Sequence, residues 1–246
     1  MFGRPIYREK IFPLSKLEKI EYQQSLLKRK TPYEILKEEH TIYKYRNLIE
    51  LNYETDQAFL SKNNKIKIIT DGKEKFKLLF EDIKNAKQYI HIQYYILKKD
   101  GIGKQLFSLL EQKLKEGVQV YILYDDIGSR KLSISSLKNL TDNNAKIKSF
   151  FKSRFPLINF RMNYRNHRKL VIIDGDIGYT GGFNVGDEYL GLDKKFGYWR
   201  DTHLRIEGEA VGSLEYRFID DWNSQSSKQT EQLKLKSEHV STPVDN

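Results

Sequence analysis

Cysteine is absent from this chain of 246 residues, and so is any long apolar run. Without cysteine the protein forms no disulfide, uses no thiol in catalysis and binds no zinc through sulfur. No stretch approaches the ~18–20 apolar residues that a membrane-spanning helix needs, and charged sequence follows Met1 where a signal peptide would be apolar. We therefore expect a chain without a spanning segment, of a composition that fits the cytosol.

Acidic residues are missing from the stretch between Asp142 and Asp174. Its cations are Lys146, Lys148, Lys152, Arg154, Arg161, Arg165, Arg168 and Lys169, and the apolar residues among them are Phe150, Phe151, Phe155, Leu157, Ile158 and Phe160. Pro156 and the lack of periodicity predict a loop over residues 150–160. Cations attract lipid headgroups and aromatic rings enter the acyl boundary, so we interpret this loop as interfacial; an ordinary basic loop is the alternative.

The formal net charge of +10 favours polyanionic partners. Nucleic acids, anionic lipid surfaces and phosphorylated substrates all belong to that class, so charge alone leaves the choice among them open.

A single motif, His167-x-Lys169-x4-Asp174, carries the chemistry of the chain. The apolar, β-branched run Leu170 to Ile173 predicts a strand buried on both faces. Because strand side chains alternate, His167 and Lys169 should project to the same side at the strand entrance. A nearby ammonium disfavours the charged imidazole and can also bind a phosphate oxygen. We therefore predict a histidine nucleophile beside a phosphate-binding lysine.

Gly181-Gly182-Phe183-Asn184 follows the motif and completes the predicted pocket. The two glycines would let the backbone approach a ligand, and the Asn184 amide can donate to an anionic oxygen. Asp174 has two interpretations: a residue that contacts substrate, or a carboxylate that caps the turn before Gly175.

The motif resembles the signature of the phospholipase D superfamily, and further stretches look like the bacterial cardiolipin synthases of that superfamily. Those stretches are residues 90–95, 124–129, 163–169, 179–189 and 199–208. The resemblance implies transfer of a phosphatidyl group through a phosphohistidine, with phosphatidylglycerol as substrate and cardiolipin and glycerol as products. It implies no metal or other cofactor, because lysine and asparagine side chains hold the phosphate charge.

The resemblance also assigns functional positions to His167, Lys169, Asp174 and Asn184. It implies that Asp201 orients the imidazole; the alternative for Asp201 is a carboxylate at the start of a strand, paired with Arg200 or Arg205.

The sequence departs from the family in two respects. Members usually carry two such motifs, and no second H-x-K-x4-D occurs here; they also usually begin with two transmembrane helices. We therefore expect the first catalytic half, bound peripherally to the cytoplasmic side of an anionic membrane, with a second copy or a separate second-half chain as partner. The alternatives are a single-motif homodimeric phosphodiesterase, including nucleases that bind nucleic acid, and an inert fragment that binds anionic membranes.

Alternating strands and helices from residue 65 onward predict an α/β fold, and the resemblance makes it a phospholipase D-like α-β-α sandwich with a mixed central sheet. We divide the chain into an N-terminal helical arm (1–60), a catalytic domain (61–223) and a polar, disordered tail (224–246). In the arm, Ser15 and Glu18 form a capping box.

Two pairs of polar residues have two interpretations each. Asp125 and Asp126 mark either a ligand site or a turn. His91 and Gln93 either face the pocket or are buried elsewhere.

Overall fold

The computed structural model describes residues 36–37, 40–56, 58, 60–150, 166–226 and 232–234. Its strands are β1 (Asn64–Asp71), β2 (Tyr89–Tyr94), β3 (Gln119–Asp125), β4 (Lys146–Phe150), β5 (Leu170–Ile173), β6 (Ile177–Gly181) and β7 (Arg200–Gly208). Its α-helices are α1 (Arg46–Asp56), α2 (Gly72–Asn85), α3 (Gly101–Lys115), α4 (Lys138–Asp142) and α5 (Ala210–Ser224). Short 3-10 turns cover His40–Tyr45, Ile134–Leu137 and Asp187–Leu190.

The strands form one mixed sheet in the order β1-β7-β6-β5-β2-β3-β4. β2, β3 and β4 run parallel, because α3 and α4 carry the chain back between them. The remaining neighbours are antiparallel, and a tight turn joins β5 to β6. The predicted mixed sheet is therefore confirmed, with β5 at its centre.

Helices cover both faces of the sheet and give the α-β-α layers that the sequence predicts. Side chains of α2 and α3 pack with Val171 and Ile173 on one face. Side chains of α5 pack with Leu170 and Ile172 on the other. All four residues of β5 are buried, so the apolar run forms the predicted strand.

Local sequence signals explain where the first helices begin and end. Asp71 caps α2, where its Oδ1 accepts from the Glu74 amide at 2.9 Å. Asp100 caps α3 in the same way, and Gly117, with φ of 88°, follows the end of that helix.

The acid-free stretch differs from its prediction where it can be compared. Of the loop predicted over residues 150–160 only Phe150 is described, and it ends strand β4, which pairs in parallel with β3. Phe150 is only 1% exposed and packs against α5, so its predicted contact with lipid is wrong. Residues 151–165, with the rest of the predicted interfacial loop, lie outside the described residues.

The proposed arm and tail are described in part. The capping box at Ser15 lies outside the described residues, whereas α1 is a helix within the predicted arm. In the tail, the backbone of Leu233 exchanges two hydrogen bonds with the Asn223 side chain, at 2.8 and 2.9 Å. This part of the tail therefore contacts α5, and the division into arm, catalytic domain and tail stays a prediction. No helix among the described residues has the length and apolar character to cross a bilayer.

Candidate active site

His167 and Lys169 meet at the N-terminal end of β5. Lys169 Nζ lies 2.7 Å from His167 Nδ1 and also donates to the His167 carbonyl at 2.7 Å. An ammonium has three donors and no acceptor, so when Lys169 is charged His167 Nδ1 must accept. The structure therefore brings the two predicted residues together and matches a neutral imidazole.

The pKa of His167 is lowered from its usual value, and burial is the main cause. The Lys169 cation lowers it further, whereas the carboxylates of Asp125 and Asp201 oppose the shift. The predicted effect of the lysine is present but secondary. Both causes keep the imidazole neutral near pH 7, the form that has a lone pair for attack on phosphorus.

Lys169 is only 3% exposed, although the sequence placed it at a strand entrance outside the core. Burial lowers the pKa of Lys169 to about 8, and Asp201 is the charge that opposes this shift. The ammonium is thus held in a poorly solvated place, where its attraction for a phosphate oxygen is stronger than at the surface.

Tyr95 forms a wall of the site that the sequence did not predict. Its ring centroid lies 4.5 Å from that of His167 and 5.8 Å from Lys169 Nζ. The antiparallel pairing of β2 with β5, with Gln93 opposite Leu170, brings the end of one strand beside the start of the other. Ser129 Oγ donates to the Tyr95 carbonyl at 3.0 Å. Only the strand register, which no local pattern reports, could have identified this residue.

Asn184 lies buried beside the same strand end. Its Oδ1 accepts from the Ile96 amide at 3.0 Å, and its Nδ2 donates to Tyr189 Oη at 2.8 Å. These bonds fix the amide next to Tyr95 and leave one Nδ2 hydrogen without a partner in the described part of the chain. That hydrogen is the one available to a phosphate oxygen, and phosphate binding by Asn184 stays a prediction.

Gly181 and Gly182 lie close against strand β7. A Cβ on Gly182 would lie 1.9 Å from Asp201 Oδ1, and one on Gly181 would lie 2.5 Å from the His203 Cα. Their predicted role, to let the backbone approach a ligand, stays a prediction. The glycines allow Asp201 to lie close to the strand that ends at the site.

Asp201 is near His167 and Lys169 but forms no hydrogen bond with either. Its charge acts on both His167 and Lys169, whereas its Oδ1 accepts from the Thr202 amide at 2.7 Å. No hydrogen bond joins the side chains of His167 and Asp201, both of which the structure describes. Orientation of the imidazole by Asp201 stays a prediction.

Asp174 lies at the opposite end of β5 from His167 and Lys169. Its two carboxylate oxygens accept from the backbone amides of Lys87, Gln88 and Tyr89 at 2.7 to 2.8 Å. Its φ of 56° also begins the turn into β6. The geometry supports the structural alternative, and the predicted catalytic role of Asp174 is corrected to anchorage of the loop before β2.

The other ambiguous polar residues lie away from the pocket or in a turn. Asp125 Oδ1 accepts from the amides of Ile127 and Gly128 at 3.0 and 2.9 Å, which is a turn. His91 stacks on Phe218 of α5, with ring centroids 4.6 Å apart, and Gln93 donates to Asp221. Across the described ranges, no group of three or more histidine, aspartate and glutamate side chains is placed to hold a metal ion.

Comparison with known proteins identifies the family. The family described as "Cardiolipin synthase, PLD-like domain" matches residues 79–222. Cardiolipin synthase 2 of Staphylococcus epidermidis is 51% identical over 234 residues, which cover 93% of this chain and 47% of that protein. Cardiolipin synthase of Oceanobacillus iheyensis is 49% identical over 233 residues, 94% of this chain and 48% of that protein.

A solved structure supports the fold. The phosphatidylserine synthase of Haemophilus influenzae Rd KW20 superposes with a TM-score of 0.50 at 20% identity, over 64% of this chain and 36% of that chain. The chain spans about half the length of the curated relatives it matches. It belongs to the cardiolipin synthase family with a phospholipase D-like domain.

Proposed function

We propose that this chain provides one catalytic half of a cardiolipin synthase-type phosphatidyltransferase. The contact of 2.7 Å between Nζ of the buried Lys169 and Nδ1 of the exposed His167 is the observation that carries the proposal. It pairs a neutral imidazole with a cation that a phosphate oxygen would attract away. Identity of about half to proteins named cardiolipin synthase supports a lipid substrate over nucleic acid, so the nuclease alternative is not favoured.

The proposed reaction has two displacements at phosphorus. First, a His167 ring nitrogen attacks the phosphodiester of phosphatidylglycerol; the nitrogen–phosphorus bond forms and the bond to the glycerol oxygen breaks. The leaving glycerol oxygen takes a proton from an acid on the far side of the phosphorus. Second, the hydroxyl of another phosphatidylglycerol gives its proton to the conjugate base of that acid and attacks the phosphohistidine; the new oxygen–phosphorus bond forms cardiolipin, and the nitrogen–phosphorus bond breaks to restore the imidazole.

The acid in the first step has no candidate within the motif of this chain. His167 is the nucleophile, and the sequence contains no second H-x-K-x4-D. We infer that a partner supplies the acid, either a second copy of the chain or a separate chain with the second motif. The coverage of only 47% of the relative's length agrees with a second half elsewhere.

A surface beside the site fits an anionic bilayer. We call residues 191–200 the lip; its exposed apolar side chains are Leu192, Phe196 and Tyr198, at 59%, 52% and 69% exposure. Three exposed cations, Lys194, Lys195 and Arg200, lie among them. Trp199 packs edge-on against Tyr189 at 5.1 Å, and Tyr189 holds Asn184.

Exposed aromatic rings with interspersed cations are typical of interfacial segments. We propose that the lip, in place of Phe150, contacts the membrane peripherally and brings the site to the lipid headgroup. Location on the cytoplasmic side is part of the same proposal.

Incubation with phosphatidylglycerol vesicles, followed by thin-layer separation of lipids, tests the transferase. We expect cardiolipin and glycerol when the second motif is present in the assembly, and little or none from a demonstrably monomeric chain. His167→Asn in the same assembly should abolish turnover, because the residue central to a catalytic unit commonly supplies many powers of ten in rate. Degradation of plasmid DNA without lipid transfer would instead support the nuclease.

A further inference from the structure

The last turn of α5 carries a carboxylate that is fully buried beneath the segment leading into β5. Asp221 is 0% exposed. Its Oδ2 accepts from Gln93 Nε2 at 2.7 Å, from Asn166 Nδ2 at 2.8 Å and from Arg168 Nη1 at 3.0 Å. A carboxylate is costly to bury unless donors surround it, so these three side chains are strongly held in place.

Two of the three donors flank His167 in the sequence. Asn166 and Arg168 both turn towards Asp221, whereas His167 and Lys169 contact each other. This is the alternation of an extended chain, in which neighbouring side chains point to opposite sides. A slip of one residue would direct His167 towards α5 and Asn166 into the site.

The same carboxylate joins three parts of the fold. Gln93 belongs to β2 and lies opposite Leu170 of β5, while Asp221 itself belongs to α5. Asn166 Oδ1 in turn accepts from the Arg168 amide at 3.2 Å, which closes a network around the backbone of His167. The apolar strand β5 has no polar side chain that could set this alignment by itself.

We propose that Asp221 is a positioning residue for His167: it binds the side chains on either side of the histidine and thereby fixes which face of the segment enters the site. It contacts no reacting atom. The role depends on the proposed function, because orientation of the imidazole affects turnover only if His167 is the nucleophile.

Substitution Asp221→Asn tests this role through the titration of His167, followed by NMR of the imidazole nitrogens. The groups that act on this imidazole are Lys169, Asp125 and Asp201, together with burial. Loss of position would separate the ring from Lys169 and reduce its partial desolvation, so its pKa should rise toward the ordinary 6.5. Loss of a nearby negative charge alone would lower the pKa, so the two effects have opposite signs.

Asp82→Asn is the matched control. Asp82 is also a poorly exposed carboxylate with an arginine partner, since it accepts from Arg205 Nε at 2.7 Å, but it belongs to α2 on the other face of the sheet. Its substitution removes a structural ion pair and should leave the His167 titration unchanged. An unchanged or lowered pKa of His167 in folded Asp221→Asn would overturn the proposal.

Asn166→Ala is a second variant in case Asp221→Asn does not fold. It removes one neutral donor, leaves Gln93 and Arg168 on the carboxylate, and changes no charge. We expect a smaller rise in the pKa of His167; no change would count against the proposal.

In the active assembly, Asp221→Asn should lower kcat by about 10²-fold with little change in KM, as a misplacement of about 1 Å does. Failure of the proposed function is seen separately: His167→Asn would then retain turnover, whatever the NMR titrations show.

Discussion

Lys169 must be charged and His167 neutral for the proposed reaction, and the site shifts both groups towards a narrow pH range. Burial lowers the pKa of each, to about 8 for the lysine. Lys169 is buried, and His167 beside it is exposed but partly desolvated, so the desolvation that favours a neutral imidazole also limits the charge on the lysine.

Turnover should therefore be bell-shaped in pH. Activity rises as His167 loses its proton below pH 6.5 and falls as Lys169 loses its proton near pH 8. The measurement is kcat/KM of the active assembly across pH ~5–9. A profile that stays flat above pH 8 would contradict the role of the lysine.

Lys169→Met should lower turnover by about 10² or more, as loss of one donor to a developing oxyanion does. Unfolding of Lys169→Met would instead indicate a structural role for the lysine.

His203, two residues after Asp201, is a buried histidine whose protonation affects the stability of the fold. It is 0% exposed, and neither ring nitrogen has a hydrogen-bond partner among the described residues. Burial lowers its pKa to about 2, with smaller contributions from the cations of Lys75 and Lys169. The folded state therefore holds His203 neutral, while the unfolded chain takes up a proton below pH 6.5.

This difference predicts a loss of stability in acid. The unfolded state binds more protons below pH 6.5, so the free energy of unfolding decreases as the pH is lowered, by about 1 kcal/mol from pH 7 to pH 5.5. His203→Leu should remove that contribution, and it leaves no polar group unpaired. Urea unfolding of both proteins at the two pH values measures it. Equal pH dependence in the variant would show that His203 is accessible to protons in the folded state.

At the scale of elements, β5 has a different task at each end. Its N-terminal end presents His167 and Lys169, and its C-terminal end places Asp174 against the backbone that leads into β2. The four residues between Lys169 and Asp174 in the motif are strand β5, so the spacing of the motif equals the length of the strand.

Asp174→Asn should consequently reduce stability and leave the site chemistry intact. The carboxylate accepts three backbone hydrogen bonds, and bonds to a charged acceptor contribute about 1.5–3 kcal/mol each. An amide has one acceptor oxygen, so we expect a loss of about 2 kcal/mol or more in the free energy of unfolding. Asp176→Asn, at an exposed carboxylate of the same turn, is the control. A shift in the titration of His167 without a loss of stability would return Asp174 to the site.

At the scale of the whole molecule, the net charge of +10 and the lip act in the same direction. Cations attract an anionic surface over about a Debye length, and the exposed rings add apolar contact once the protein arrives. Each cation near the surface contributes about 1 kcal/mol, so the attraction depends on several acting together.

We therefore expect the protein to float with anionic vesicles at low salt and to be released as salt rises. Replacement of Phe196 and Tyr198 by serine should weaken binding further, because their rings enter the interface. Ile134→Ser is the control, since Ile134 is 82% exposed but lies outside the lip. Flotation at two salt concentrations gives the result. Equal recovery with neutral and anionic vesicles would contradict the proposal.

The sequence by itself determined the properties that depend on neighbouring residues. The apolar run predicted β5, and the motif placed His167 beside Lys169. Side chains two apart on an extended chain lie on one side whatever surrounds them, so this part of the site could be inferred locally.

Only the tertiary structure decided which residues from other elements reach the site. Tyr95 arrives through the register of β2 with β5, and Asp221 through the packing of α5. Phe150 became a core residue because β4 pairs with β3, and Asp174 became an anchor because the loop before β2 ends at its carboxylate. These contacts join residues far apart in the chain, and register and packing, which set them, leave no periodic signal in any one segment.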